Sequence, residues 1–530
     1  MFNLRRVLCV LSLGFALLNW ACQEAGAETT LAMADPFRNY QPVGAEANLL
    51  KVQKRILIGE SEGYFFWIND AKNNELIVDY QQTPSPNYQA QVYQPMRVEL
   101  KESLKTLDAL KPIPPKDSIR IDGRSLLYLR LTTPGSAKPG AAEFALAIRG
   151  RDGKELARLQ MTLSVSSVVL PSELPVMLQG TISLQKDWQD LVLPQAKERF
   201  QPAMMVRSVQ ALLKEYRFNA LAGMRAGGVV DDRTYKDLVV NALDRLDYRR
   251  VRLAPEQMYS WANPLPPKWH MEHSMKRSTM EGLNKHTGRW QELTTKEAYK
   301  NRLSLKLWDE PRKQDLENVI SMYKGMKEST PGLILEISDA PIPELEKTVK
   351  TWVPSIRRLR KMPLPQAIER QHALGNEVWF YANPLHDIDS PYGSMRYIGW
   401  VMWRYNLKGY HVWSVNKWEG NPLLPSSGKK EKPSKRDKDE SQSSGLLLYP
   451  DPKDGTILPS LRLEALRDGM EDLLLLHVFE KRVQAAGKSD QKALNLLQEA
   501  RTQGNLDQDF KNAVALPDLR NRMIDILESK

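Results

Sequence analysis

From Pro171 onward the chain alternates short apolar runs with longer stretches of helical period, and this rhythm restricts the fold more than any other feature. Eight runs follow one another: Val176–Gly180, Ala220–Gly223, Arg249–Leu253, Leu303–Trp308, Leu333–Ile337, Lys350–Val353, Glu377–Tyr381 and Tyr410–Val415. Segments of helical period fall between most of them, among them Val206–Tyr216, Tyr235–Leu246, Leu316–Met326, Pro365–Leu374 and Ser394–Leu407. A last amphipathic helix, capped by Ser460 and running to about Val483, follows the eighth run. Eight strand–helix units in succession predict a closed (β/α)8 barrel.

Residues 45–170 read differently. Short alternating runs such as Glu62–Ile68, Tyr88–Tyr93, Arg97–Leu100, Leu126–Leu131, Phe144–Arg149, Leu156–Leu159 and Met161–Val169 are separated by turns at Gly123, Pro134-Gly135, Pro139-Gly140 and Asp152-Gly153. Strands without intervening helices predict a β-sandwich. The expected organisation is a signal peptide at 1–27, a sandwich at 28–170, a barrel at 171–485 and a helical extension at 486–530. A charged, disordered insertion is expected at 428–444, in the loop after the eighth strand.

The first 27 residues carry Arg5 and Arg6, an apolar stretch from Val7 to Leu18 and the small residues Ala25-Gly26-Ala27, the pattern of a cleaved export signal. Both cysteines, Cys9 and Cys22, lie inside it. Asn19 and Trp20 are bulky where a lipidation signal has small residues, so cleavage after Ala27 is preferred over anchoring at Cys22. The expected location is periplasmic or extracellular, with no thiolate chemistry and no stable membrane insertion. The formal charge of +11 owes much of its visible clustering to Lys429–Ser444, and nothing resembles a nucleic-acid motif.

The segment with chemical content is Leu303–Pro311, an apolar strand that ends in Asp309, Glu310 and Pro311. Carboxylates are poor strand residues, and two like charges side by side are costly unless a site uses them. Pro311 is expected to hold Glu310 extended, with a twist or bulge turning both acids toward the barrel mouth. The structural alternative is that Asp309 caps the following helix. Adjacent acids suit substrate-assisted glycoside hydrolysis. One stays ionised to orient the sugar's own 2-acetamido group for attack, and the other, protonated, serves the leaving oxygen.

The run Trp308-Asp309-Glu310-Pro311, Pro331–Asp339, Val378–Tyr381, Trp400–Tyr405, Gly409–Trp418 and Pro459–Asp472 together resemble glycoside hydrolase family 123 and the related domain of unknown function 4091. The resemblance spans roughly residues 171–485. It implies a β-sandwich followed by a (β/α)8 barrel, and a retaining exo-acting β-N-acetylgalactosaminidase without a cofactor. On this chain it implies Asp309 as the residue that orients the acetamido group and Glu310 as the general acid/base. The irregular stretch Pro255–Ala298 and the charged insertion depart from the pattern and bear on sugar specificity.

Asp339, Tyr381, Asn383, Trp413, Asn416 and Trp418 follow the fifth, seventh and eighth strands, on the face where a barrel builds its site, and are the candidate substrate contacts. Trp413 as barrel core and Asn383 as a turn before Pro384 are the bland alternatives. No metal site is expected: His270 and His273 lack the zinc-protease order, and Asp387 and Asp389 lack a calcium-loop spacing. Leu461, Leu463, Leu466, Met470 and Leu473 are expected in the core, with Glu464, Arg467 and Asp468 in weak local ion pairs. A carbohydrate-binding protein without catalysis, or a glycosidase for sugars lacking an acetamido group with Asp339 in place of Asp309, are the competing functions.

Overall fold

The structure is a computed structural model that describes residues 29–70, 75–80, 86–99, 105–121, 123–183, 188–198, 200–224, 230–253, 259–260, 288, 290–388, 390–418, 420–424, 444–506 and 513–529. The signal peptide, the insertion up to 443, His270, His273 and Asp389 therefore lie outside the described residues. Two compact units divide the chain, one ending at Val169 and the other taking Met96–Leu110 and Leu170 onward.

The first unit holds two sheets. One runs Leu49–Ile58, Glu155–Val169, Gly140–Arg149, Glu75–Tyr80 and Asp117–Arg120, and the other includes Gln41–Ala47, Thr30–Asp35, Ser61–Asn69, Arg124–Thr132 and Gln89–Glu99 in that order. Alternate residues of each strand face one apolar core; Leu159, Met161, Leu163 and Val165 come from a single strand and join Phe66, Val92, Leu127 and Leu129. The two runs read as Leu156–Leu159 and Met161–Val169 are that one strand, because Gln160 keeps its place opposite Ala145.

In the second unit eight parallel strands close into a barrel: Met177–Ile182, Ala220–Gly223, Arg250–Leu253, Leu303–Asp309, Ile334–Ser338, Thr351–Trp352, Glu377–Phe380 and Gly409–Val412. Closure is read from the pairings: the first strand bonds both the second and the eighth, and the third bonds the fourth. Tyr259–Ser260 adds a short strand against Trp308 and Asp309, beyond the third strand's end.

Helix Leu461–Ala486 starts where the sequence placed it, with Ser460 Oγ accepting from Leu463 N–H at 3.1 Å. It is not amphipathic over its first four turns: every residue from Leu461 to Leu476 is buried. Helix Tyr392–Arg404 crosses it so closely that a Cβ at Gly399 would lie 1.8 Å from Gly469 O. Glu464, Arg467 and Asp468 do form local ion pairs, but buried ones, so they are not of the small worth expected. Glu464 bonds Tyr216 Oη and Arg467, while Asp468 takes Arg467 at 2.6 Å and Tyr392 Oη at 2.7 Å. Charges buried this way demand full pairing, and the price of removing one partner is several times that of a surface pair.

Candidate active site

The fourth strand breaks its pairing with the fifth just before the acid pair. Lys306 lies opposite Glu336, yet Asp309 lies opposite Ser338, so three residues on one side match two on the other. That extra residue is a bulge, and it changes the side-chain parity. In a regular strand Lys306 and Asp309 would face opposite ways. Here Lys306 Nζ lies 2.7 Å from Asp309 Oδ1 and 3.1 Å from Ser338 Oγ.

A bulge leaves backbone groups without ladder partners, and Tyr323 of the helix Leu316–Ser329 supplies them. Its phenol oxygen accepts from Leu307 N–H and Trp308 N–H, both at 3.2 Å, and donates to Glu336 C=O at 2.6 Å. One hydroxyl thus bridges the two strands at the point where they stop bonding each other. Burial holds this phenol protonated, its pKa well above the ordinary tyrosine value.

Glu310 departs from expectation. Its φ is +49°, in the left-handed region and not in the extended one that Pro311 favours. A non-glycine residue held there ahead of a proline stores strain of about 1–3 kcal/mol, the kind that collects at functional sites. Asp309 does not cap the next helix either. Asp315 instead closes the 3-10 turn Lys313–Asp315 that leads into that helix, accepting from Arg312 N–H at 3.2 Å. Both acids are half-buried at the strand's C-terminal end.

Beneath the pair the barrel interior is charged. Arg252 on the third strand reaches Glu336 on the fifth at 3.4 Å and Thr181 on the first at 3.3 Å, and Arg250 reaches Thr351 and Glu377 on the sixth and seventh. The third strand pairs only with the second and fourth, so these bonds cross the interior. Burial alone would raise the Asp309 pKa, but Lys306, the Ser338 hydroxyl and Arg252 outweigh it, and the carboxyl is held below its ordinary value. Burial and Arg252 lower Lys306, against Asp309 and Glu336. His411, deep on the eighth strand, is kept neutral by burial, then by Arg252, Lys306 and His386.

The other candidates fall into two groups. Asp339 follows the fifth strand and forms an ion pair with Arg358, whose Nη2 also donates to Pro311 O at 3.5 Å, tying the fifth-strand loop to the one after the acids. Asn383 opens a short 3-10 helix after the seventh strand, and its Oδ1 is buried without a hydrogen-bond partner. Trp413 is half-buried: its Nε1 donates to Ser444 Oγ at 3.2 Å, and Lys417 Nζ lies 5.1 Å from its ring centre. These three remain open to a ligand role.

Tyr381, Asn416 and Trp418 are buried in the fold's own packing. The Tyr381 ring sits in an apolar cluster with Met177, Ala220, Val353 and Trp379. Asn416 is fully buried, its amide giving to Ser183 O and taking from Ser183 N–H, both at 2.8 Å, so it latches the eighth strand's loop to the first strand. Trp418 is buried beside Phe200 and donates to Leu448 O at 2.7 Å, leaving no face for a sugar. Lys306, Ser338, Tyr323 and Arg358 were missed by sequence reasoning, because each matters through a partner that only the folded register brings near. Asp387 is described, and no group of three or more His, Cys, Asp or Glu among the described residues could hold a metal ion. No helix among them is long and apolar enough to cross a membrane.

A closed parallel barrel with adjacent acids at the end of its fourth strand is the frame of a glycoside hydrolase, and comparison with known proteins agrees. Residues 278–479 match the model of the glycoside hydrolase 123 catalytic domain, a span that holds the fourth to eighth strands and both acids. Residues 278–479 thus carry a glycoside hydrolase 123 catalytic domain. A family 123 glycoside hydrolase from Clostridium perfringens, solved to detail glycolipid glycan hydrolysis, has the same fold: the TM-score is 0.65 at 14% identity, over 94% of this chain and 100% of that one. A GH10 xylanase from Thermobacillus composti is similar only to a TM-score of 0.32 at 12% identity, over 56% of this chain and 97% of its own, and carries no argument. No curated protein matches the sequence.

Proposed function

We propose that the chain is an exported exo-acting enzyme that removes terminal β-linked N-acetylgalactosamine with retention, using the substrate's acetamido group as nucleophile. The observation that carries this reading is the unequal treatment of two neighbouring acids: Asp309 is paired to a buried ammonium at 2.7 Å, whereas Glu310 sits next to it on a strained turn. An ionised Asp309 accepts the acetamido N–H and sharpens its carbonyl oxygen as a nucleophile. Glu310 gives its proton to the glycosidic oxygen as the C1–O bond breaks and the acetamido oxygen bonds C1. Glu310, now ionised, takes a proton from water, which adds to C1 and reopens the ring.

The glycolipid glycan named for the Clostridium perfringens relative supports offering such glycans first. The test is turnover of chromogenic β-N-acetylgalactosaminide, β-N-acetylglucosaminide and β-galactoside by the wild type, Asp309→Asn and Glu310→Gln. Hydrolysis confined to acetamido sugars, and reduced about 10²–10⁴-fold in each variant, supports the reading. Cleavage of the plain galactoside with indifference to Asp309 would overturn the mechanism, and binding without turnover would make the chain a carbohydrate-binding protein.

A further inference from the structure

We infer that Lys306, inside the barrel, is the positioning residue that decides which of the two adjacent acids carries the negative charge. This rests on the proposed acetamido-assisted reading and extends it to the cause of the division of labour. Two neighbouring carboxyls of similar environment would share one proton between them, and neither would be a dependable base or acid. Something must break the symmetry. The bulge does so by rotating Asp309 onto the face that Lys306 already occupies, whereas Glu310 follows the strand's last residue with φ +49°, off the strand's extended path.

The surroundings of Asp309 from each packed element fit this role. Its own strand supplies Lys306, the fifth supplies Ser338 and, deeper, Glu336, and the third supplies Arg252. His411 on the eighth strand stays neutral near Lys306 and Arg252. Arg252 and Lys306 thus balance Glu336 and an ionised Asp309. The ammonium is almost wholly buried, while the Asp309 side chain keeps 33% of its surface exposed. Lys306 therefore acts on the substrate only through Asp309. With Asp309 holding the charge, the proton that the leaving oxygen needs falls to Glu310.

The test compares wild type, Lys306→Met and Ser338→Ala on a β-N-acetylgalactosaminide with an activated leaving group, whose departure needs little acid help. The readouts are the pH profile of kcat/KM and calorimetric binding of a thiazoline analogue of the cyclised sugar across pH. In Lys306→Met the acid limb should move up by about 1–2 pH units. The activity loss should then be several-fold greater at pH 5 than at pH 7.5, with analogue affinity following the same curve. Ser338→Ala should show the same displacement at smaller size, and it covers the case in which Lys306→Met fails to fold. Equal losses at every pH, or an unmoved acid limb in a folded variant, overturn the inference. A wild type that neither hydrolyses the acetamido sugar nor binds the analogue instead overturns the underlying reaction.

Discussion

The two units of this chain solve the inside of a β-structure in opposite ways. The sandwich fills its interior with aliphatic and aromatic side chains, from Leu31 and Ile56 to Leu159 and Val165. The barrel puts Arg250, Arg252, Lys306, Glu336 and His411 where such barrels usually stack branched apolar residues. A sandwich core need only exclude water. A barrel that must hold one acid ionised at its mouth has to bring countercharge up from below, and each buried charge then requires another to compensate it. The difference marks which unit is shaped by chemistry.

The largest effect should come from breaking that compensation. Arg252→Met leaves Glu336 without its guanidinium partner and is expected to cost about 3–5 kcal/mol of stability, the usual penalty for stranding a buried charge. It should also raise the acid limb of activity, since Arg252 helps hold Asp309 ionised. Leu129→Ala, in the sandwich, should cost a comparable 2–5 kcal/mol through a cavity, yet leave the pH profile of the folded enzyme unmoved. Urea unfolding and kcat/KM against pH, measured on both, decide the contrast. A pH profile displaced equally by both variants would erase the distinction between the two interiors.

How much of this was legible beforehand follows the same division. Periodicity reports apolar faces, so all eight barrel strands, several sandwich strands and the Ser460 cap could be read from the chain. The acid pair was legible because two carboxylates at the end of an apolar strand have no structural excuse. The bulge was not: three-residue spacing puts Lys306 and Asp309 on opposite faces of any regular strand, and nothing local announces the extra residue. Asn416 and Trp418 misled because an amide and an indole after a strand look the same whether they meet a sugar or a carbonyl. Glu464 and Asp468 misled because Tyr216, Tyr392 and Arg396, their partners, lie far away in sequence.

A second prediction concerns acid. His386 follows the seventh strand, its Nε2 lies 2.6 Å from Tyr410 Oη, and burial, then the Arg462 charge, pushes its pKa down to about 3. An unfolded histidine titrates near 6.5. Between those values the unfolded chain binds a proton that the folded one refuses, so stability falls as pH drops through 6.5 and keeps falling toward 3. At about 1.4 kcal/mol per unit the single group is worth on the order of 5 kcal/mol by the bottom of that window. Asp309 and Asp472, whose pKa values are lowered in the fold, add a further loss of the same sign below about 4. Unfolding free energies from pH 7.5 to 4.5 should be flat at the top and slope downward below 6.5. A curve that stays flat down to 4.5 would assign the acid sensitivity to carboxylates alone, and His386→Gln should remove its own share of the slope and leave that of the likewise lowered His411.

The smallest expected effect is also the one that tests the bulge most directly. Tyr323→Phe keeps the ring and removes one oxygen, which serves Leu307 N–H, Trp308 N–H and Glu336 C=O together. Leaving buried backbone groups unpaired costs about 1–3 kcal/mol. The two strands can recover part of that by closing the bulge, and a closed bulge would turn Asp309 away from Lys306. If the bulge is what aligns the acid, Tyr323→Phe lowers kcat with KM nearly unchanged and shifts the acid limb upward, although Tyr323 touches neither acid in the contacts described. If instead stability drops while the pH profile and kcat of the folded fraction stay put, the phenol merely fills a gap in the ladder, and the side-chain parity of the fourth strand is fixed by the Lys306–Asp309 pair itself.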